Sequence, residues 1–119
     1  MNNQFAADEK LYRAVLPLDM FWKKNGKVSS AAFYDPKGLS VERGYYRDDI
    51  EVSKIMHERF RGNIVYNFVE HCNSVNALVK YLPSHNSVYH SEIHKDNDTK
   101  LLTESQRKHL AKNAIIIEE

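Results

Sequence analysis

The sequence has a single cysteine and no long apolar segment. Cys72 stands alone among 119 residues, so the chain can form neither an intrachain disulfide nor a zinc site built from several cysteines. No segment approaches the roughly 18 consecutive apolar residues of a membrane-spanning helix. Residues 1–10 also lack the basic and apolar regions of a secretory signal peptide. We therefore expect a soluble cytoplasmic protein that has a reduced thiol and no membrane association.

An excess of charge of either sign is also missing. Seventeen basic residues stand against 16 acidic ones, which leaves a formal net charge of +1 at pH 7. No overall electrostatic field is therefore available to attract a polyanion, and a nucleic-acid partner would need a local basic patch. Glycine-rich phosphate loops, zinc-protease helices and nucleophile elbows are absent as well, so no specific catalytic motif is present.

The apolar content is sufficient for one hydrophobic core. Hydrophobic residues make up 42% of the chain and charged residues 28%, which is ordinary for a globular protein. A chain of this length suits one domain and should bury roughly two thirds of its unfolded surface. We predict a single α+β domain over residues 1–119, in which residues 1–9 are flexible.

Two segments predict the main helices. Asp48 or Asp49 can act as the N-cap of a helix that runs to about Arg61 and ends at Gly62. Its apolar stripe consists of Val52, Ile55, Met56 and Phe60. Residues 103–106, Thr-Glu-Ser-Gln, match a capping box at the start of the second helix.

Four to five strands of an antiparallel or mixed sheet are predicted from the remaining segments. Residues 35–38, Asp-Pro-Lys-Gly, suit a type I turn, which predicts a β-hairpin between residues 28–34 and 39–43 with Leu39 and Val41 toward the core. The other candidate strands are residues 63–69, 77–82 and 89–94.

Three further segments carry weaker signals. Residues 11–16 fit either a helix or a strand that Pro17 ends. Residues 114–117 either continue the second helix or add a short strand. Residues 70–74 are polar and indicate a break between strands.

Candidate chemistry is concentrated in residues 89–94. If this segment is extended, its period of two places His90, Glu92 and His94 on one face. Two imidazoles and a carboxylate can hold a divalent metal ion, as 2-His-1-carboxylate sites do. No other cofactor is expected.

The same residues also suit two interpretations without a metal. His90 or His94 with Glu92 could act as a general acid and base near neutral pH. An arginine from the 39–47 region, Arg43 or Arg47, would then supply positive charge for phosphoryl or phosphodiester chemistry. Alternatively, the three side chains form the ordinary solvated face of an edge strand.

Two other groups of residues are candidates for a functional role. Tyrosines near basic residues could stack on nucleic-acid bases, although most of them are expected at core or rim positions in a chain of this length; they are Tyr45, Tyr46, Tyr66, Tyr81 and Tyr89. Cys72 follows His71, but adjacent residues of an extended chain point apart, so an inert thiol is expected.

Three segments resemble a small bacterial family of uncharacterised proteins. They are Gly26-Lys27-Val28-Ser29-Ser30-Ala31-Ala32-Phe33 through Gly38-Leu39-Ser40-Val41-Glu42-Arg43, Tyr89-His90-Ser91-Glu92-Ile93-His94, and Leu110-Ala111-Lys112-Asn113-Ala114. The resemblance covers most of the chain after Trp22. It implies a bacterial or phage-borne intracellular protein and supplies no activity, cofactor or site residue.

We expect a non-enzymatic binding or accessory protein, such as an immunity-type or defence-type module, that works through a protein partner or as a homodimer. The absence of a specific catalytic motif and the many aromatic residues, a type enriched at interfaces, favour this function. The alternative is a small hydrolase or nuclease that acts on a nucleotide or RNA. It would use His90, Glu92 and His94 together with Arg43, with or without a metal ion.

Overall fold

Six strands pair into one sheet in the computed structural model, which describes residues 1–118. In chain order they are β1 (Lys10–Val15), β2 (Leu39–Arg43), β3 (Asn63–Phe68), β4 (Leu78–Tyr81), β5 (His90–His94) and β6 (Ile115–Ile116). Their order across the sheet is β4-β5-β2-β1-β3-β6, and every pair is antiparallel. The predicted α+β class is confirmed, and of the antiparallel or mixed sheet that was predicted the antiparallel form is present, with six strands rather than four to five.

Three α-helices and two 3₁₀ turns accompany the sheet. The helices are α1 (Asp49–Arg59), α2 (Val69–Asn73) and α3 (Glu104–Asn113), and the turns span Asp19–Phe21 and Ser30–Phe33. The main core packs α2, α3 and the second 3₁₀ turn on one face of the sheet. A smaller cluster on the other face joins α1 to β1 and β3 through Tyr12, Val52, Met56 and Ile64.

The predicted hairpin before β2 is wrong. Residues 30–33 form a 3₁₀ turn, and β2 pairs with β1 and β5 instead. A strand would point Ala32 and Phe33 to opposite faces, whereas the turn buries both of them in the main core. The predicted orientation within β2 is confirmed, because Leu39 and Val41 are buried in that core.

Helix α1 begins and ends close to the predicted positions. Asp48 is the N-cap, and its side chain accepts a hydrogen bond from the backbone N–H of Glu51 at 2.8 Å. Gly62 has the expected positive φ, at +104°. The apolar stripe is only half right: Val52 and Met56 are buried, whereas Ile55 and Phe60 are 36% and 43% exposed.

Two of the three segments with weaker signals form strands that pair with distant parts of the chain. Residues 10–15 form β1, which lies between β2 and β3 near the centre of the sheet. Residues 115–116 form β6 at one edge. The predicted break between strands at residues 70–74 is confirmed, and it is mostly helical, because residues 69–73 form α2 between β3 and β4.

Candidate functional site

Strand β5 carries the predicted cluster of polar side chains. The segment is extended, and the antiparallel register places Ser40 opposite Glu92 and Glu42 opposite His90 on β2. On the other side, Lys80 of β4 lies opposite Glu92. We call this surface the polar face, which consists of Ser40, Glu42, Lys80, His90, Glu92 and His94.

Two of the predicted residues bind each other. The Nε2 atom of His94 lies 2.8 Å from Oε1 of Glu92, and the His94 side chain is 6% exposed. Gly38 makes room for this pair, since a Cβ atom there would lie 2.4 Å from Glu92 Oε1 and 2.8 Å from His94 Nε2. The carboxylate is therefore engaged by His94, within the same strand, and not by His90.

His90 is oriented by different partners. Its Nδ1 atom lies 2.8 Å from the backbone oxygen of Leu82, and its Nε2 atom lies 3.3 Å from Oγ of Ser40. Within residues 1–118, no group of three or more His, Cys, Asp or Glu side chains is placed to hold a metal ion. His90, Glu92 and His94 share a face, but they do not form the metal-binding set that the spacing suggested.

Arg43 lies on the opposite side of the sheet from the polar face, so its predicted role beside His90 is wrong. Its side chain is fully buried and donates to both carboxylate oxygens of Glu9, at 2.7 and 2.8 Å. It also donates to the backbone oxygens of Asn2 and Gln4, at 2.7 and 2.8 Å. These contacts give residues of the N-terminal segment defined partners in the fold. The flexibility of residues 1–9 concerns motion and stays a prediction.

Arg47, the second candidate arginine, is also engaged in internal contacts. Its Nη2 atom lies 3.3 Å from Oε2 of Glu42, and both side chains are 7% exposed. Its guanidinium carbon lies 3.4 Å from the centre of the Tyr89 ring. Ser87 donates to the other carboxylate oxygen of Glu42, at 2.9 Å. Arg47 therefore fixes the loops around the polar face.

A small cavity adjoins the polar face next to the end of α1. Its volume is about 190 Å³, and its polar lining includes Ser40, His90 and Arg59. Its apolar lining includes Ala14, Met56 and Phe60. Sequence reasoning missed Ser40 as a partner of His90, because nothing local in either segment shows that β2 pairs with β5.

A wider cleft lies between the N-terminal residues and the loop that follows β2. Its volume is about 440 Å³, and Asp8, Tyr45 and Tyr46 are among its lining residues. Both tyrosines have positive φ, 45° and 67°, and Tyr46 is 95% exposed. Bulky residues rarely adopt this conformation, so residue type alone does not predict it.

The lone cysteine has no feature of a reactive thiol. Cys72 is buried in the main core, and this burial raises the pKa of its thiol to about 12. A protonated thiol is a poor nucleophile, so an inert cysteine is favoured.

His71 caps the short helix α2 as a neutral imidazole. Its Nδ1 atom accepts a hydrogen bond from the backbone N–H of Phe68 at 3.1 Å. Desolvation by burial lowers the pKa of His71; the Glu70 carboxylate opposes this shift and His109 adds to it. The folded protein therefore favours the unprotonated ring.

The stability of the protein should fall in mild acid because of His71. A lowered folded-state pKa means that the contribution is complete above the ordinary histidine pKa of about 6.5 and is lost as the pH falls below it. We expect the urea midpoint to decrease between about pH 7 and about pH 5.5, and to decrease less in His71→Gln. Equal decreases in the two proteins would contradict this assignment.

No helix within residues 1–118 has the length and apolar character needed to cross a membrane. No family model matches the chain, and no similar curated protein or solved structure was found. The resemblance to a bacterial family therefore stays a prediction.

Proposed function

We propose that the protein is a binding or accessory module that contacts a protein partner through the Tyr46 loop, residues 44–47. The observation that carries the proposal is Tyr46 itself, a large aromatic side chain that is 95% exposed on a backbone with φ of 67°. Exposed aromatic residues that are held rigidly suit interfaces, because they bury much area at a small cost in side-chain entropy.

The surroundings of Tyr46 hold the loop in this conformation. The N–H of Gly44 donates to the backbone oxygen of Lys10 at 2.8 Å, and the N–H of Arg47 donates to that of Gly44 at 3.1 Å. The N–H of Tyr45 donates to Glu9 at 3.3 Å. A non-glycine residue at positive φ costs about 1–3 kcal/mol, and such strain is concentrated at functional sites.

The cleft beside Tyr46 suits a cationic side chain of the partner. Most charges in its lining are neutralised within the protein: Glu9 by Arg43, Lys10 by Asp49 and Arg47 by Glu42. Asp8 has no ion pair among the described residues. A carboxylate that lines the same cleft as the exposed Tyr46 ring can bind an arginine or lysine by charge and cation–π contacts.

Replacing Tyr46 with glycine should separate binding from stability. Glycine adopts positive φ without strain, so we expect Tyr46→Gly to leave the free energy of unfolding unchanged or to raise it by up to about 1 kcal/mol. Partner capture should fall at least tenfold in the same variant, because the exposed ring is lost. Urea unfolding and quantitative capture from an extract of the native host measure the two effects.

A second variant tests the charge of the partner. Asp8→Asn should also weaken capture of the same protein, and the weakening should be greatest at low salt. Val88→Ser provides a control, since Val88 is 59% exposed and does not line the cleft. Capture that is equal in wild type and Tyr46→Gly, or capture of the chain's own copies alone, would overturn the proposal.

A further inference from the structure

A chain of hydrogen bonds connects Leu82, His90 and Ser40. The backbone oxygen of Leu82 only accepts, so the Nδ1 atom of His90 at 2.8 Å carries the ring proton. The lone pair of the neutral imidazole is then on Nε2, which faces the Ser40 hydroxyl at 3.3 Å. Ser40 can therefore donate its proton to His90.

This arrangement has the three parts of an activated nucleophile. A hydroxyl lies within reach of a base, and a third group fixes the tautomer and orientation of that base. Here the third group is a backbone carbonyl, which takes the place that a carboxylate has in serine hydrolases. The bonds are solvent-accessible, so water can reach Ser40 and His90.

The adjoining cavity limits the size of the substrate. Its volume of about 190 Å³ is below the range of roughly 300–1,000 Å³ typical of drug-sized ligands, which leaves room for a short acyl chain. The apolar walls suit that chain. Arg59 lines the same cavity and carries the positive charge that a developing oxyanion needs.

We propose that Ser40 and His90 hydrolyse small carboxylic esters, with Ser40 as the nucleophile and His90 as the base. Ser40 Oγ attacks the carbonyl carbon, its proton passes to His90 Nε2, and the ester C–O bond breaks as the alcohol takes that proton. Water then attacks the acyl-serine, gives a proton to His90, and releases the carboxylic acid as the proton returns to Ser40. This activity goes beyond partner binding and departs from the non-enzymatic expectation.

The proposal differs in place and chemistry from the hydrolase expected from the sequence. Glu92 and His94 bind each other, and Arg43 lies on the other side of the sheet. Only His90 retains a catalytic role, and no metal is required. The site shares no residue with the Tyr46 loop, so either proposal can fail without the other.

Hydrolysis of 4-nitrophenyl acetate and butyrate, together with labelling by a fluorophosphonate probe, tests the site. We expect probe attachment at Ser40, located by mass spectrometry, and a rate at least about 100-fold lower in Ser40→Ala and in His90→Gln. Ser105→Ala, which alters an exposed serine at the start of α3, should keep the wild-type rate.

The stability of Ser40→Ala serves as the control for folding. Ser40 is exposed, so Ser40→Ala should unfold within about 0.5 kcal/mol of wild type, and a lost rate then reports chemistry. Equal rates in wild type and Ser40→Ala, or no probe attachment at Ser40, would overturn the proposal. Unchanged hydrolysis in Tyr46→Gly would show that the two surfaces act independently.

Discussion

Replacing Gly62 with alanine is expected to lower the free energy of unfolding by at least about 3 kcal/mol, the combined cost of positive-φ strain and overpacking. The φ of Gly62 is +104°, where side chains are strained. An added Cβ would also lie 2.1 Å from the backbone oxygen of Val15 and 3.0 Å from Cα of Leu16. These are backbone atoms at the end of β1, so the clash cannot be relieved by a rotamer change.

Gly26→Ala is the matched control for the steric clash that is expected at position 62. Gly26 also has positive φ, at +84°, but an added Cβ would meet nothing within 4 Å. We expect the free energy of unfolding of this variant to fall by about 1 kcal/mol, which is the cost of the backbone strain alone. Urea unfolding of both proteins measures the difference. Similar losses in Gly62→Ala and Gly26→Ala would contradict the proposed close contact with β1.

Removing the carboxylate of Glu9 should have the largest electrostatic effect. Arg43 is fully buried, and Glu9→Ala would leave its guanidinium without a counter-charge. Breaking a buried pair in this way costs about 3–5 kcal/mol. At about 4 °C per kcal/mol for a chain of this size, the melting temperature should fall by roughly 12–20 °C. Thermal unfolding, monitored by circular dichroism, measures this change in melting temperature.

The neighbouring acidic residue supplies the control for this variant. Asp8 is exposed and has no ion pair among the described residues, so Asp8→Ala should change stability by no more than about 0.5 kcal/mol. Arg43→Met is a useful third variant, because it removes the buried charge and leaves Glu9 at the margin of the core. A Glu9→Ala protein as stable as Asp8→Ala would show that the pair contributes little.

Features decided by neighbouring residues were predictable from the sequence. The N-cap at Asp48 and the capping box of Thr103 and Gln106 are both present. The period of two in residues 90–94 correctly placed three side chains on one face. In each case the signal lies within a few residues, and the surrounding fold reinforces it.

The position of Arg43 was predictable from the alternation of side chains along β2. Leu39 and Val41 were correctly placed toward the core, and the same period of two carries Arg43 to that side. A charged residue there contradicts the pattern unless a partner neutralises it. That partner, Glu9, is 34 residues away in the sequence, and no local rule identifies it.

Other features depend on contacts that no local pattern contains. The 3₁₀ turn at residues 30–33 forms because α3 packs on it, and small residues alone do not specify that conformation. The pairing of β2 with β5 brings Ser40 to His90 across 50 residues. The positive φ of Tyr46 is imposed by the surrounding hydrogen bonds against the preference of its residue type.

The order of the strands has a consequence for the rate at which the protein folds. Strand β1 is the first in the chain, yet it lies between β2 and β3, so it stays unpaired on both edges until those segments are available. Of the five strand pairs, only β4–β5 closes over a short loop. Non-local pairing of this kind slows folding relative to chains in which most contacts are local, and the unpaired β1 edge is where a nascent chain would associate with others.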